Sequence, residues 1–292
     1  ASLRYHEGRF YICFVANDTR KTYLYTSEKI DGPWKKQLIE GFYHDGSLLF
    51  DEDGRNYIVY GNDEIWITEL NEDLTAPKKD GLHRLLVSDH KNPELGYEGS
   101  HIQKINGYYY IFLVHSLRDR WMRTEACFYS DSLEGEFTGG DVLCDDRGYC
   151  GQGVAQGGIV DTPDGKWYAM LFQDSGAVGR IPILLPVTWK DHFPFFGQNG
   201  HVPEEIEVHS TRPGYIYQPL VGSDDFCNGL LPRWQFNHDP DPRYYHLDAL
   251  QGTYTITTRE VCTELTQAVN TLTQRMSYPS CAAEVTVDAS AL

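Results

Sequence analysis

Three polar residues stand at equivalent places in three stretches of similar sequence. Asp45, Glu98 and Gln156 are each followed by a glycine and then by a small residue, and each lies nine residues before a second glycine. Two carboxylic acids that meet in one pocket are suited to general acid and base catalysis, because burial and mutual repulsion separate their pKa values. The glutamine at the third place would give the same pocket a neutral polar wall.

The second glycine of each stretch marks a predicted β-hairpin. A polar turn that ends in glycine is followed by alternating aromatic and aliphatic residues, as expected where glycine supplies a positive φ between two strands. The pattern occurs four times, 46 to 58 residues apart, at Gly8, Gly54, Gly107 and Gly165. A repeat of about 50 residues with three or four short strands has the size of one β-propeller blade. A Greek-key sandwich with coincidental spacing is the alternative.

The register predicts where the three polar side chains lie. The first strand of each propeller blade lines the central axis, so equivalent positions on successive blades converge there. A single Asp or Glu before a strand most often caps a turn, but three polar residues in one register favour a shared pocket. The same position of the first repeat falls ahead of Ala1. We therefore expect the chain to be a fragment that begins inside a blade.

Composition and charge exclude several classes of function. The chain has 292 residues, with 25 basic and 42 acidic side chains and a net charge of −17. Nucleic-acid binding depends on clustered Lys and Arg, so we expect no nucleic-acid partner. No apolar run approaches the ~18 residues of a membrane span, so we expect no membrane partner. The cellular location stays open, with a cytoplasmic one slightly favoured over a secreted one.

Neither the cysteines nor the acidic turns indicate a metal site. The seven cysteines contain no Cys-x-x-Cys pair, so zinc ribbons and thioredoxin-type chemistry find no support. Cys144 and Cys150 are close enough in sequence to form a disulfide, and free thiols are the alternative. The acidic turns 51–54 and 145–148 do not continue into a calcium loop with Glu at its twelfth place, so both are interpreted as hairpin turns.

Three stretches taken together resemble glycoside hydrolase family 43. HDGSLLFDEDGRNYIVYG from His44 is similar to that family's second-blade motif, and YEGSHIQKINGYYYIF from Tyr97 is similar to its third-blade motif. QGGIVDTPDGKWYAMLFQDSGAVGR from Gln156 is similar to its fourth-blade motif. The resemblance implies an all-β fold, a five-bladed β-propeller of which about four blades are present, and an inverting mechanism. Inversion places acid and base about 6.5–9.5 Å apart, which leaves room for a water molecule.

The matching motifs imply roles for individual residues. Glu98 becomes the general acid that protonates the leaving oxygen, and Asp45 becomes the residue that holds this acid and modulates its pKa. The family's general base is an Asp on the first blade, and we expect it to be absent from this chain, which should be inactive by itself. Arg180 is similar to the Arg that contacts the sugar in the innermost subsite, with an exposed salt-bridge Arg as the alternative. Gln156 becomes a polar wall at this place. Ala155 stands where several members carry a His associated with a channel ion, so no cofactor or metal is required and a channel Ca²⁺ is in doubt.

The chain is predicted to have three parts. Residues 1–200 form the propeller, 201–223 a linker punctuated by prolines, and 224–292 a truncated concanavalin-like β-sandwich, which resembles the C-terminal domain of family β-xylosidases. Trp234 and Phe236 alternate on one face and are expected in the core of this last part. We expect a further strand within 282–290, and open sheet edges that leave the part poorly ordered.

These features predict a glycosidase. We expect an inverting exo-glycosidase that acts on xylan- or arabinoxylan-derived saccharides, either a β-xylosidase or an α-L-arabinofuranosidase, with xylo- or arabino-oligosaccharides as its partners. The exo preference is implied by the sandwich, which closes one end of the channel in relatives. A neutral sugar is compatible with a net charge of −17, because no charge steering is needed. A non-catalytic carbohydrate-binding propeller and a scaffold for protein partners are the alternatives.

Overall fold

The chain forms two compact units, Ala1–Glu207 and Val208–Leu292. The computed structural model describes residues 1–208, 210, 212–237, 239–276 and 280–290. The division between the units falls inside the segment that the sequence predicts as a linker. No helix in the described part of the chain has the length and hydropathy needed to cross a bilayer.

The first unit contains four antiparallel sheets of four strands, which we call blades 1 to 4 in chain order. Each blade is a meander in which every strand pairs with the next, and this confirms the predicted all-β propeller blades. Blades 1 and 2 comprise β1 (Ser2–His6), β2 (Arg9–Ala16), β3 (Lys21–Ser27), β4 (Lys35–Ile39), β5 (Ser47–Phe50), β6 (Asn56–Asn62), β7 (Glu64–Leu70) and β8 (His83–Ser88). Blades 3 and 4 comprise β9 (Glu98–Ile105), β10 (Tyr108–Ser116), β11 (Arg123–Ser130), β12 (Thr138–Leu143), β13 (Ala155–Asp161), β14 (Trp167–Asp174), β15 (Arg180–Lys190) and β16 (Phe193–Phe196).

The four predicted turn glycines each join the first and second strands of a blade. Their φ angles lie between 78° and 84°, and the space around their Cα atoms is open. Glycine is favoured there by backbone conformation and not by crowding. In blades 1 and 3 the preceding residue also has positive φ, at Glu7 and Asn106, which is the pattern of a tight two-residue hairpin.

Apolar side chains packed between neighbouring blades form the core. The alternation of the strands directs every second side chain toward the next blade. Three clusters fill the interfaces between blades 1 and 2, 2 and 3, and 3 and 4; their members include Leu24 and Ile58, Tyr57 and Ile111, and Phe112 and Leu171, respectively.

The first strands of successive blades contact one another, as expected for the inner strands of a propeller. β1 contacts β5, β5 contacts β9, and β9 contacts β13. The starts of these strands therefore lie at one end of the unit, together with the segments that lead into them.

The second unit contains two short antiparallel ladders. β17 (Gln235–Phe236) pairs with β20 (Leu272–Thr273), and β18 (Tyr245–Asp248) pairs with β19 (Thr253–Ile256). Trp234 packs against Phe226, with ring centroids 5.9 Å apart, and Phe236 packs against Tyr245 at 5.4 Å. Both predicted core aromatics thus lie in apolar contacts.

The prediction of a strand within 282–290 is wrong. These residues pair with no strand in the described part of the chain. Val285, one of their apolar residues, is 81% exposed. Alternating apolar residues favour a strand, but a strand forms only where a neighbour accepts its backbone hydrogen bonds.

All seven cysteines are free thiols. Cys144 accepts a hydrogen bond from the Thr124 hydroxyl at 3.4 Å instead of bonding to Cys150. The open alternative is thereby resolved in favour of free thiols.

Candidate active site

Asp45, Glu98 and Gln156 lie together where the first strands of blades 2, 3 and 4 begin. Asp45 stands two residues before β5, Glu98 opens β9, and Gln156 is the second residue of β13. The Nε2 atom of Gln156 lies 3.4 Å from Oδ2 of Asp45. The backbone N–H of Gly99, next to Glu98, donates to the same oxygen at 3.1 Å. The shared register of the sequence thus corresponds to one cluster of side chains, which we call the pocket.

The backbone of this pocket adopts left-handed conformations. φ is 48° at Asp45 and 68° at Gln156, which is uncommon for residues with a side chain. Gly99 has φ 68°, and a Cβ atom there would lie 2.6 Å from Nε2 of Gln156. Gly99 is thus required both by conformation and by close approach. Clusters of such backbone are characteristic of functional sites.

Glu98 is held at the pocket by blade 2 but stays accessible. Asn62, the last residue of β6, donates from Nδ2 to Oε2 of Glu98 at 2.8 Å. The side chains of Glu98 and Asp45 are 23% and 24% exposed, so a ligand can reach both carboxylates. Tyr97, the residue before Glu98, packs against the buried ring of His115 with ring centroids 5.0 Å apart.

His44 completes the group of titratable side chains. Its Nε2 atom lies 3.6 Å from Oε2 of Glu98 and 3.7 Å from Oδ2 of Asp45. Its interaction with Glu98, together with the charge of Asp45, raises the pKa of His44 against the opposing effect of burial. Sequence reasoning missed both His44 and Asn62, although His44 directly precedes Asp45 in the second-blade stretch.

Arg180 lies at the same end of blade 4 but does not contact the carboxylates. Its guanidinium pairs with Asp174 at 3.3 Å and lies over the ring of Phe172, 4.5 Å from the centroid. Asp174 also binds the buried Arg123 at 3.0 Å. Burial and the charge of Arg180 lower the pKa of Arg123, and the charges of Asp174 and Glu98 oppose this shift. Arg180 itself forms no ion pair with Glu98 or Asp45 among the described contacts.

Arg4 of β1 bonds to the inner strands of blades 2 and 3. Its guanidinium donates to the Leu48 carbonyl at 2.9 Å, the Ser47 hydroxyl at 2.7 Å and the Ile102 carbonyl at 2.8 Å, and so links β1 with β5 and β9. Burial lowers the pKa of Arg4 to about 10, so the side chain is still charged at neutral pH. Burial and the charge of Arg4 lower the pKa of His101 to about 3, so this neighbour is neutral.

The side chains of the pocket are of types that could either bind a metal ion or transfer a proton. In the described part of the chain, one group of at least three His, Cys, Asp or Glu side chains has its possible ligand atoms within 4.8 Å of one another. It consists of His44, Asp45 and Glu98. A metal ion on Glu98 would compete with the proton of a general acid, and Asn62 and Gly99 already donate to these carboxylates. An accessible glutamic acid beside a second carboxylate and an imidazole is suited to donating a proton.

Two family models match the sequence. The model described as glycosyl hydrolases family 43 matches residues 1–194, which cover most of the four blades. The model described as the beta xylosidase C-terminal concanavalin A-like domain matches residues 223–292. Together they account for both units of the chain.

Several known proteins are similar to this chain. A putative β-xylosidase of Xylanibacter ruminicola is 27% identical over an alignment of 270 positions, which covers 87% of this chain and 49% of that protein. A non-reducing end α-L-arabinofuranosidase of Bacteroides ovatus is 24% identical, over 86% of this chain and 50% of its own. A solved structure of a bifunctional GH43-CE protein from Bacteroides eggerthii superposes with a TM-score of 0.81 and 42% identity, over 95% of this chain and 36% of that one. The chain spans about half the length of the curated relatives that it matches.

Proposed function

Because the chain belongs to glycosyl hydrolase family 43, we propose that it carries the general acid of an inverting exo-glycosidase. The meeting of Glu98 and Asp45 in one accessible pocket carries this proposal. The substrate class is the non-reducing end of xylose- or arabinose-containing saccharides. The names of the relatives, β-xylosidase and α-L-arabinofuranosidase, support that class without choosing between the two sugars.

Each pocket residue has a role in this proposal. Glu98 donates a proton to the leaving glycosidic oxygen, and Asp45 places a second carboxyl group beside that acid. Asn62 fixes Oε2 of Glu98, which leaves Oε1 to face the ligand. Gln156 forms the neutral wall beside Asp45, and Arg180 binds sugar hydroxyls at the rim.

We place no general base in this chain. An inverting enzyme needs a second carboxylate on the opposite face of the sugar to activate water. Asp45 is not that base, because its ligand oxygen lies within 4.8 Å of that of Glu98, which is closer than this geometry allows. The role of base therefore stays unassigned.

We also propose that no Ca²⁺ is bound in the axis. Ca²⁺ would need several oxygen ligands from the inner strands. The guanidinium of Arg4 already uses the carbonyl oxygens of Leu48 and Ile102 and the hydroxyl of Ser47. Its positive charge would also repel a cation at this place. The residues present do not fit a channel Ca²⁺.

The accessible pocket also supports one second candidate, a propeller that binds saccharides without hydrolysing them. Binding needs only the pocket and its hydrogen-bonding groups. Hydrolysis by the protein as its gene encodes it separates the two functions, because a pure binding protein would show none.

A titration tests the proposed site on this chain. We expect xylobiose or arabinose to bind in calorimetry and Arg180→Ala to weaken binding roughly tenfold, the equivalent of about 1.4 kcal/mol. Arg9→Ala, which removes an exposed Arg of blade 1, should leave binding unchanged. The chain should hydrolyse neither nitrophenyl xyloside nor nitrophenyl arabinofuranoside. Absence of sugar binding would contradict the proposed site, and turnover would show that the chain supplies a base.

A further inference from the structure

A buried glutamate lies directly behind the pocket wall. Glu125 of β11 is 0% exposed. Its Oε2 atom accepts the backbone N–H of Gln156 at 2.6 Å, whereas its Oε1 atom has no hydrogen-bond partner among the described residues. Burying a carboxyl group without full hydrogen bonding reduces the stability of the fold. Packing alone therefore does not explain a glutamate at this position.

Strand register places Glu125 in the same row as Glu98. Glu98 of β9 is opposite Val114 of β10, and Val114 is opposite Glu125 of β11. Directly opposed side chains of an antiparallel sheet lie on the same face. The row of blade 3 that begins with the proposed acid therefore also contains the carboxyl group that holds Gln156 of blade 4.

Glu125 has no ion-pair partner in the described part of the chain. The nearby guanidinium of Arg123 bonds to Asp174 instead, at 3.0 Å. Burial raises the pKa of Glu125 well above its usual value, although the Gln156 N–H and Arg123 oppose this shift. Burial thus favours the protonated form of this carboxyl group, while its Oε2 atom accepts the hydrogen bond from Gln156.

Gln156 needs such an anchor. Its φ of 68° is unfavourable for a residue with a side chain. The hydrogen bond to Glu125 fixes its backbone, its Nε2 atom faces Asp45 at 3.4 Å, and its side chain packs on Gly99. Movement of this backbone would displace the wall that lies against Asp45.

We propose that Glu125 is a positioning residue for the sugar-binding pocket, which acts by holding Gln156 in its left-handed conformation against Asp45. The expected effect of Glu125 on sugar binding rests on the proposed function. The restraint on Gln156 exists whether or not a sugar binds, and it can be measured separately.

The first measurement is amide hydrogen exchange of Gln156 by NMR in the 292-residue chain. Glu125→Met keeps the length and volume of the side chain but removes the acceptor, and it should accelerate exchange of this amide at least tenfold. Glu125→Gln keeps an acceptor and should restore slow exchange. Glu134→Met, at an exposed glutamate of the same blade, is the control. Unchanged exchange of Gln156 in the Met variant would overturn the proposal. If the Met variant does not fold, Glu125→Ala serves as the second acceptor-free variant.

The second measurement separates positioning from general stability. Glu125→Met should weaken xylobiose binding roughly tenfold, and Glu125→Gln should rescue it to within about threefold. In a Gln156→Gly background, where positive φ is cost-free, Glu125→Met should have less than a threefold effect. A loss of the same size in both backgrounds would show a merely structural role and contradict the proposal. If the unmodified chain binds no sugar, the proposed function fails, while the exchange of Gln156 still decides the role of Glu125.

Discussion

The chemistry proposed for Glu98 depends on the groups that surround its carboxyl oxygens. Asn62 donates to Oε2 at 2.8 Å, and Nε2 of His44 lies 3.6 Å from the same oxygen. Asp45 approaches from the neighbouring blade and is itself fixed by the Gly99 N–H. One oxygen of the acid is thus restrained and the other is left to a ligand, which is the arrangement that directional proton donation requires.

At the residue scale, His44 gives a prediction about stability and pH. Its pKa is raised in the folded state through Glu98 and Asp45, so its contribution is complete below the unfolded value of about 6.5. The contribution is lost as the pH rises through the higher folded value. In urea unfolding, His44→Gln should therefore reduce the free energy of unfolding more at pH 5.5 than at pH 8. His90→Gln, at an exposed histidine, is the control. A His44→Gln effect that grows with pH would contradict this assignment.

Sequence alone could identify some of these residues and not others. Asp45, Glu98 and Gln156 could be found because a repeat places them in one register, and the repeat determines their position in space. Asn62 ends a strand 36 residues before Glu98, and only the packing of blade 2 against blade 3 joins them. Glu125 lies within a strand, where its residue type alone does not distinguish it from a solvent-facing acid.

At the scale of elements, the pocket is formed where the first strands of blades 2, 3 and 4 begin. The starts of β9 and β13 lie so close together that a side chain at Gly99 would collide with Gln156. The hairpins were predictable because each depends on a local turn with positive φ at glycine. The strand expected within 282–290 was not, because pairing depends on a neighbouring strand and not on local alternation. Gly99 was predictable only in part. Its place after Glu98 follows from the repeat, but its contact with the side chain of Gln156 depends on how blades 3 and 4 pack.

Gly99 and Gly107 offer a matched test of that close approach. Both have positive φ, but a Cβ atom at Gly99 would lie 2.6 Å from Gln156, whereas Gly107 has open space around it. Gly107→Ala should cost about 1 kcal/mol of unfolding free energy from conformation alone. Gly99→Ala should cost more and should also weaken xylobiose binding at least tenfold. Equal effects of the two substitutions on binding would contradict the assigned contact.

At the scale of the whole molecule, the net charge is −17, yet the positive charge of Arg4 lies among the inner strands. Arg4 links the inner strands of three blades through carbonyl and hydroxyl oxygens. The apolar clusters between blades supply most of the burial. This guanidinium satisfies polar groups that the packing would otherwise leave without partners.

This arrangement predicts independence from divalent cations. An ion that binds the folded chain raises its melting temperature by mass action, so the melting temperature should be the same in Ca²⁺ and in EDTA. Arg4→Met should lower it by several degrees, because it leaves buried acceptors unpaired. A Ca²⁺-dependent rise in the unmodified chain would contradict the proposed role of Arg4.

The central claim, that Glu98 is the general acid, is tested most directly by hydrolysis of nitrophenyl xyloside and nitrophenyl arabinofuranoside by the protein as its gene encodes it. Glu98→Gln keeps the size and the contact with Asn62 but cannot donate a carboxylic proton. Hydrolysis should fall about 10²–10⁴-fold while sugar binding persists, and the exposed Glu94→Gln should retain full activity. Near-normal turnover by the Glu98→Gln protein would remove Glu98 from the role of acid.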